Sequence, residues 1–200
     1  VFDYSKNRVN AETIQKLVSL AKACDLEGQR NALFRGEIVN ITENRAALHM
    51  ALRGTLPSGL QINNEDVGKF VSNALAQIQT ISKKIRRDKK ITDVIHIGIG
   101  GSDLGPRMVC HALAPYADGP AIHFLPNIDG QAFAELTQKL NPKNTLVIIV
   151  SKTFTTLETM SNAASVKNWM ADALPAKKLR SRMIGVTMNE RAALDFGIAP

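Results

Sequence analysis

The segment VIHIGIGGSDLGP, residues 94–106, indicates the architecture of this chain more clearly than any other. An apolar, β-branched run typical of a buried strand ends in a turn that contains Gly100, Gly101 and Ser102. Pro106 stands where we expect a helix to begin, because proline suits the first turn of a helix. Glycines let the backbone approach a ligand closely, and unpaired N–H groups at a helix start attract anions. The segment therefore predicts an anion site, with phosphate as the favoured ligand, or else a tight turn that only packs a strand against a helix.

Two common phosphate-binding loops are excluded by the residues of this segment. A dinucleotide-binding fingerprint that starts at Gly98 requires a glycine at the position of Asp103. A P-loop that starts at Gly100 requires lysine directly after Gly105, where the chain has Pro106. If the turn binds phosphate, it does so in another way.

A second segment has the same organisation. The run LVIIV, residues 146–150, is typical of a strand buried on both faces, and it leads into the polar run SKTFTTLET, residues 151–159. Thr155 and Glu158 have the spacing of a capping box, which predicts a helix start at Thr155. The hydroxyl groups could simply cap this helix, but several of them stand beside Lys152 at the end of a strand, where open α/β sheets bind ligands. This combination favours a binding site.

Strands and helices alternate after residue 91, which predicts a doubly wound parallel α/β sheet covered on both faces. The predicted strands are 94–99, 121–125, 146–150 and 183–187, and the predicted helices lie near 106–114, 132–139 and 157–173. Residues 1–90 are predicted to form a helical segment that precedes this domain of residues 91–200. Within it we expect a helix capped by Asn10, a short helix over 45–52 and a long helix over 67–85.

Composition and charge exclude several classes of protein. The chain is 44% hydrophobic and 22% charged, lacks an apolar run of membrane-spanning length and opens with no signal-peptide pattern, so we expect a cytoplasmic protein. Cys24 and Cys110 lack metal-ligand spacing and lie on apolar helix faces, so we expect buried, reduced thiols, no metal site and no cofactor. The net charge of +7 is concentrated in residues 83–90, but this run contains no aromatic residue for base stacking. A solvated helix end is therefore favoured over nucleic-acid binding.

Three motifs of the chain resemble signatures of the glucose-6-phosphate isomerase family. They are NITENRAALH at residues 40–49 with ALR at 51–53, IGIGGSDLGP at 97–106 and SKTFTT at 151–156, in the order in which the family has them. Small departures from the family's usual residues lie outside the motif cores or at their edges: His96 in place of Asn, Gln131 in place of Thr, and Leu157 in place of Gln.

The resemblance implies a flavodoxin-like sugar isomerase (SIS) domain that binds the phosphate of glucose 6-phosphate or fructose 6-phosphate at the carboxyl ends of its strands. Carried over onto this chain, the phosphate site comprises backbone from Gly101 and hydroxyls from Ser102, Ser151, Thr153 and Thr156. Lys152 and Thr155 are expected to supply backbone N–H groups and shape, and Lys152 could instead act as a counter-ion.

The resemblance also implies the reaction. The family opens the sugar ring and moves a proton between C1 and C2 through a cis-enediol, a step of glycolysis and gluconeogenesis. Its catalytic Glu, His, Lys and Arg belong to motifs that these residues do not contain, and neither Glu158 nor His111 fits them. We therefore expect a chain truncated at both ends, without a catalytic residue and inactive alone, from an enzyme that is a homodimer. A non-catalytic SIS regulator is the alternative, against which the motif at residues 40–53 argues.

Overall fold

A computed structural model describes residues 3–54 and 59–199 of the chain. The residues form two compact units, with the boundary between Ile81 and Ser82. The long helix α3 crosses this boundary, so its last turns belong to the second unit. Each unit is built from its own local sequence signals.

The first unit is mainly helical. Its elements are α1 (Ala11–Ala23), α2 (Leu26–Phe34), a 3₁₀ helix (His49–Arg53), the two-residue strands β1 (Gln61–Ile62) and β2 (Glu65–Asp66), and α3 (Val67–Arg87). The predicted cap of α1 is confirmed, because the Asn10 side chain accepts a hydrogen bond from the Thr13 N–H at 2.9 Å. The sequence did not predict the β1–β2 hairpin; its signal is the pair Asn63 and Asn64, both with positive φ, between the strands.

The helix predicted over 45–52 begins later than expected and is a 3₁₀ helix confined to His49–Arg53. The preceding residues form a turn instead, in which Asn40 and Arg45 exchange two backbone hydrogen bonds of 3.1 Å. Asn44 adopts a φ of 51° within this turn, a left-handed conformation that asparagine tolerates. The turn therefore ends where helical periodicity had predicted a first helical residue.

The second unit contains the predicted doubly wound parallel sheet, which is confirmed. Its strands are β3 (Asp93–Ile97), β4 (Ala121–Leu125), β5 (Thr145–Val150) and β6 (Met183–Val186), in the order β4–β3–β5–β6. All three neighbouring pairs are parallel, and Ile97 lies opposite both Leu125 and Ile149. The helices are α4 (Gly101–Ala112), α5 (Gly130–Lys139), α6 (Leu157–Ala171), α7 (Ala176–Arg180) and α8 (Glu190–Phe196), with a 3₁₀ helix at Ala114–Tyr116.

Alternate residues of the central strands face two different hydrophobic clusters. On one face Ile95, Ile97 and Ile149 are fully buried against α6 and the partly buried apolar side chains of α5. On the other face Val94 and Leu146 pack with Ile85 from the end of α3 and with Ile91. This alternation within β-branched strands is the reason that the sheet carries helices on both sides.

Two further expectations concern exposure. None of the helices in the described ranges combines the length and apolar character needed to cross a membrane. The expectation of buried cysteines is wrong: Cys24 is exposed directly after α1, and Cys110 is only partly covered on α4. Helical periodicity identified their faces but not how completely each face is packed.

Helix α4 begins at Gly101, five residues before the predicted start, so that Pro106 lies inside the helix. In a regular helix the N–H of residue 106 would donate to the carbonyl of Ser102, and proline has no N–H. The Nε2 atom of His96, on β3, lies 2.7 Å from that carbonyl oxygen and takes the place of the missing donor. Proline was therefore a correct signal for a helix but not for its first residue, because a side chain of the sheet compensates for it.

The same carbonyl explains why Gly98 is glycine, and this can be tested. A Cβ at Gly98 would lie 2.8 Å from the Ser102 oxygen, closer than van der Waals contact allows. We expect Gly98→Ala to lower the free energy of unfolding by about 1–3 kcal/mol, the usual cost of overpacking. Urea titrations of the variant and the parent chain measure this difference.

Gly105→Ala is the matched control. Gly105 is inside α4, and a Cβ placed there meets no atom of the described residues within 4 Å apart from the adjacent residues and the backbone of its own helix. Alanine is the better helix former, so this variant should be up to about 1 kcal/mol more stable than the parent. Equal losses of stability in the two variants would contradict the assignment of Gly98 to a close approach of strand and helix.

Candidate functional site

The two predicted segments leave the sheet side by side. Strands β3 and β5 are neighbours, with Ile97 opposite Ile149, and parallel strands lie about 4.8 Å apart. We call residues 98–100, after β3, loop A and residues 151–156, after β5, loop B. The chain passes from β3 to β4 on one side and returns to β5 on the other, so loops A and B lie at the topological switch point of the sheet. Open α/β sheets bind ligands at this position.

The helices that follow these two loops differ from their neighbours at the N-terminus. In the structure as described, no side chain caps α4, whose N-cap is Gly100, or α6, whose N-cap is Thr156. By contrast, α5 and α8, which follow the outer strands β4 and β6, are capped by the side chains of Asp129 and Asn189. Among the described residues, both helix ends at the switch point thus present a positive dipole end that no side chain caps. In α4 the N–H groups of Ser102 and Asp103 donate to the carbonyls of Ile99 and Gly100, so the N–H of Gly101 and the first turn of α6 are the donors left for a ligand.

The predicted capping box of α6 is wrong, and the reason lies in loop B. The helix begins after Thr156, one residue later than expected, and Thr155 is not the N-cap. The hydroxyl of Thr156 makes a 3.0 Å hydrogen bond with the hydroxyl of Ser151 instead of bonding to a helix N–H. Hydrogen bonds between side chains within loop B have therefore displaced the predicted capping interaction.

The hydroxyls of loop B form two pairs. In the first, Ser151 is only 2% exposed, and its Oγ also accepts a 3.1 Å hydrogen bond from the N–H of Phe154. In the second, the exposed hydroxyls of Thr153 and Thr155 lie 2.7 Å apart. Two hydroxyls that share one hydrogen bond use only one of their two protons, so each pair retains a proton that can be donated to a ligand.

Phe154 anchors loop B in the core, a role that was not predicted. Its φ is 58°, in the left-handed region that bulky residues rarely adopt, and it is 4% exposed. Its ring packs edge-on against Phe196 of α8, with 5.9 Å between the ring centroids. The available signal was a single large apolar residue within an otherwise polar run.

Backbone carbonyls of loop B are bound by the segment between β6 and α8. The Lys152 carbonyl accepts from the N–H of Met188 at 3.0 Å and from the hydroxyl of Thr187 at 3.1 Å. The Thr153 carbonyl accepts from the Asn189 side-chain amide at 3.1 Å. These carbonyl oxygens already accept hydrogen bonds from the protein, so their partial negative charge is partly neutralised. This favours the binding of an anion at loop B. Thr187 and Asn189 were not among the predicted residues.

Beside loop A, a buried ion pair supports the first turn of α4. The carboxylate of Asp103 is buried and accepts hydrogen bonds of 2.8 and 3.2 Å from the Arg107 guanidinium. The same guanidinium lies over the ring of Phe124 on β4, 5.5 Å from its centroid. A buried charge needs a partner of this kind, so Arg107 is committed to Asp103.

The seven predicted residues therefore lie on two adjacent strand ends. Gly101 and Ser102 form the first residues of α4, and Ser151, Lys152, Thr153, Thr155 and Thr156 make up loop B apart from Phe154. Within the described ranges no group of three or more His, Cys, Asp or Glu side chains could hold a metal ion. The site offers hydroxyls and helix N–H groups, which can donate hydrogen bonds to an anion, and the exposed Lys152 adds a positive charge beside them.

Comparison with known proteins agrees with this arrangement. The chain matches the phosphoglucose isomerase family over residues 3–200. It is 43% identical to a glucose-6-phosphate isomerase of Cupriavidus metallidurans over an alignment of 208 residues, and this alignment covers 99% of this chain and 38% of that protein. It is 47% identical to the Brucella anthropi glucose-6-phosphate isomerase over an alignment of 206 residues, and this alignment covers 100% of this chain and 38% of that protein.

A solved structure shows the same fold. The crystal structure of a glucose-6-phosphate isomerase from Chlamydia trachomatis superimposes with a TM-score of 0.74 at 26% identity, over 92% of this chain and 36% of that chain. The chain thus spans well under half the length of the relatives it matches. Because the family match extends over nearly every residue, the chain belongs to the phosphoglucose isomerase family.

Proposed function

We propose that this chain provides the phosphate-binding part of a glucose-6-phosphate isomerase. The observation that carries the proposal is the pair of helices α4 and α6, which start at adjacent strand ends without a side-chain cap in the described structure. Two positive helix ends at neighbouring strand ends, accompanied by hydroxyls, suit a dianionic phosphate better than a neutral ligand. The names of the relatives, which are glucose-6-phosphate isomerases, supply the substrate class.

In this proposal the phosphate oxygens accept hydrogen bonds from both sides of the switch point. Ser102 and Gly101 bind from α4, and the hydroxyls of Thr153 and Thr156 bind from loop B. Ser151 is nearly inaccessible and contributes mainly by orienting Thr156. Backbone N–H groups of Lys152 and Thr155 complete the set.

The phosphate site fixes one end of the sugar, and the reaction takes place at the other. Interconversion of glucose 6-phosphate and fructose 6-phosphate requires ring opening and transfer of a proton between C1 and C2 through a cis-enediol. A base aligned with those two carbons is needed, and we assign that role to no residue of this chain. We propose that the base and its partners come from other parts of a longer, homodimeric and cytoplasmic enzyme.

The first prediction from this proposal is a bound anion. Crystals grown from or soaked in sulfate should show a sulfate ion between Ser102 and loop B, because its oxygens match the donors there. A well-ordered structure from such crystals in which loops A and B enclose no anion would contradict the proposed site.

The second prediction concerns substrate binding in the full-length isomerase that we propose contains this chain. Ser102→Ala and Thr153→Ala each remove a hydrogen bond to a charged group, worth about 1.5–3 kcal/mol. KM for glucose 6-phosphate should therefore rise by about tenfold to a hundredfold in each variant. Steady-state kinetics with a coupled assay measure this change.

Ser165→Ala is the control for that experiment. Ser165 lies on the exposed side of α6, where its hydroxyl donates a 3.0 Å hydrogen bond to the carbonyl of Ser161. This variant should keep the KM of the parent enzyme. An unchanged KM in both Ser102→Ala and Thr153→Ala would show that these hydroxyls do not bind the substrate phosphate.

The third prediction is that the 200-residue chain by itself does not isomerise glucose 6-phosphate. Loss of general acid–base groups costs about 10²–10⁴-fold each in rate, so a site that binds only the phosphate has no measurable turnover. The assay uses chain purified free of the host's own isomerase. Turnover at an ordinary enzymatic rate would place the base within these residues, and absence of turnover in the longer protein as well would favour a sugar-phosphate-binding regulator.

A further inference from the structure

His96 supplies a hydrogen bond that helix α4 cannot provide for itself. Its Nε2 atom lies 2.7 Å from the carbonyl oxygen of Ser102, the oxygen that Pro106 leaves without a helical donor. A carbonyl oxygen only accepts hydrogen bonds, so Nε2 is the donor and carries the ring proton. The second residue of α4 is therefore held by a side chain of the neighbouring strand.

The position of the His96 ring is determined by the sheet. His96 is 7% exposed and lies on the central strand β3, in register with Phe124 on one side and Ile148 on the other. Its ring packs against that of Phe124, with 5.2 Å between the centroids. The strands on both sides hold the backbone of His96, and Phe124 holds its ring. His96 therefore binds the first turn of α4 from a fixed position.

A second contact restrains the same turn through its next residue. Asp103 forms an ion pair with Arg107. The Arg107 guanidinium lies over the ring of Phe124, the same ring that packs against His96. The partner of the Asp103 side chain is a residue of the same helix, whereas His96 binds the backbone of Ser102 directly from β3. Of the two contacts, that of His96 therefore has the closer control over where the Ser102 hydroxyl points.

We propose that His96 is a positioning residue of the phosphate site, whose Nε2–H holds the Ser102 carbonyl and thereby directs the Ser102 hydroxyl and the Gly101 backbone toward the phosphate. This inference rests on the proposed function, since it concerns the same site. Without the donor, the partly buried Ser102 carbonyl is left unpaired, and the first turn of α4 shifts until water or another group satisfies it. The donors of Gly101 and Ser102 are then displaced from the positions in which they bind phosphate.

The test compares variants of the full-length isomerase that keep or remove the donor. His96→Phe retains an aromatic ring against Phe124 without a donor, and His96→Met removes the donor with a flexible side chain that accommodates a strained site. His96→Gln restores an amide N–H at the same number of bonds from Cβ as Nε2. His111→Phe is the matched control, because His111 is an exposed histidine of α4 whose ring also approaches Phe124, at 6.2 Å.

Loss of the donor should weaken phosphate binding without removing the chemistry. In His96→Phe and His96→Met we expect KM for glucose 6-phosphate and the inhibition constant of inorganic phosphate to rise about tenfold, which corresponds to about 1.4 kcal/mol. The value of kcat should change far less, because the proton-transfer groups lie elsewhere. His96→Gln should restore both constants to near the parent values, and His111→Phe should leave them unchanged.

Three results would overturn the role of His96. They are an unchanged KM and phosphate inhibition constant in both donor-free variants, a loss in His96→Gln as large as in His96→Phe, and a fall in kcat at constant KM. Failure of the proposed function is separate, because it appears as a parent protein without isomerase activity. In that case calorimetric titration of the same variants with inorganic phosphate gives the same comparison, and equal affinities would overturn the role.

Discussion

The pairing of β3 with β5 is the constraint on which the site depends. Both strands are buried on their two faces, so a slip of one residue would exchange the side chains that face the two hydrophobic clusters. Their register is therefore held firmly, with Ile97 opposite Ile149. Loop A starts directly after Ile97 and loop B two residues after Ile149, so the packing of the core sets the positions at which the two loops leave the sheet. The geometry of the proposed anion site therefore follows from the way in which the sheet buries its apolar surface.

Loop B shows how a polar loop is held in place by one apolar side chain. A left-handed backbone at a bulky residue such as Phe154 costs about 1–3 kcal/mol. Burial of its ring against Phe196 contributes about 1.5–3 kcal/mol, so the strain and its compensation are of similar size. Loop B therefore keeps its shape at little net cost, and the Phe154 N–H in turn holds Ser151, which holds Thr156. One buried ring thus organises three of the polar groups at the switch point.

Sequence patterns predicted the sheet well and the starts of its helices less well. β-Branched runs such as residues 146–150 define buried strands locally, and their alternation with helices is enough to predict a doubly wound sheet. The start of α4 depends instead on His96, which compensates for Pro106 from another element. The start of α6 depends on Thr156 bonding to Ser151, a contact that competes with the local capping signal. Individual side-chain contacts of this kind leave no periodic pattern in the sequence, so the candidate residues could be named from the sequence but the contacts that support them could not.

The paired hydroxyls of Thr153 and Thr155 have a consequence for the cycle of filling and emptying the site. Each satisfies the other at 2.7 Å, so an unoccupied loop B needs no rearrangement to avoid unpaired polar groups. An arriving anion accepts the second proton of the pair, so the hydrogen bond between the two hydroxyls is kept. A departing anion leaves the pair intact. For the function proposed above, a site that needs little reorganisation suits a reversible reaction, in which uniformly tight binding of both sugar phosphates would slow release without accelerating the chemical step.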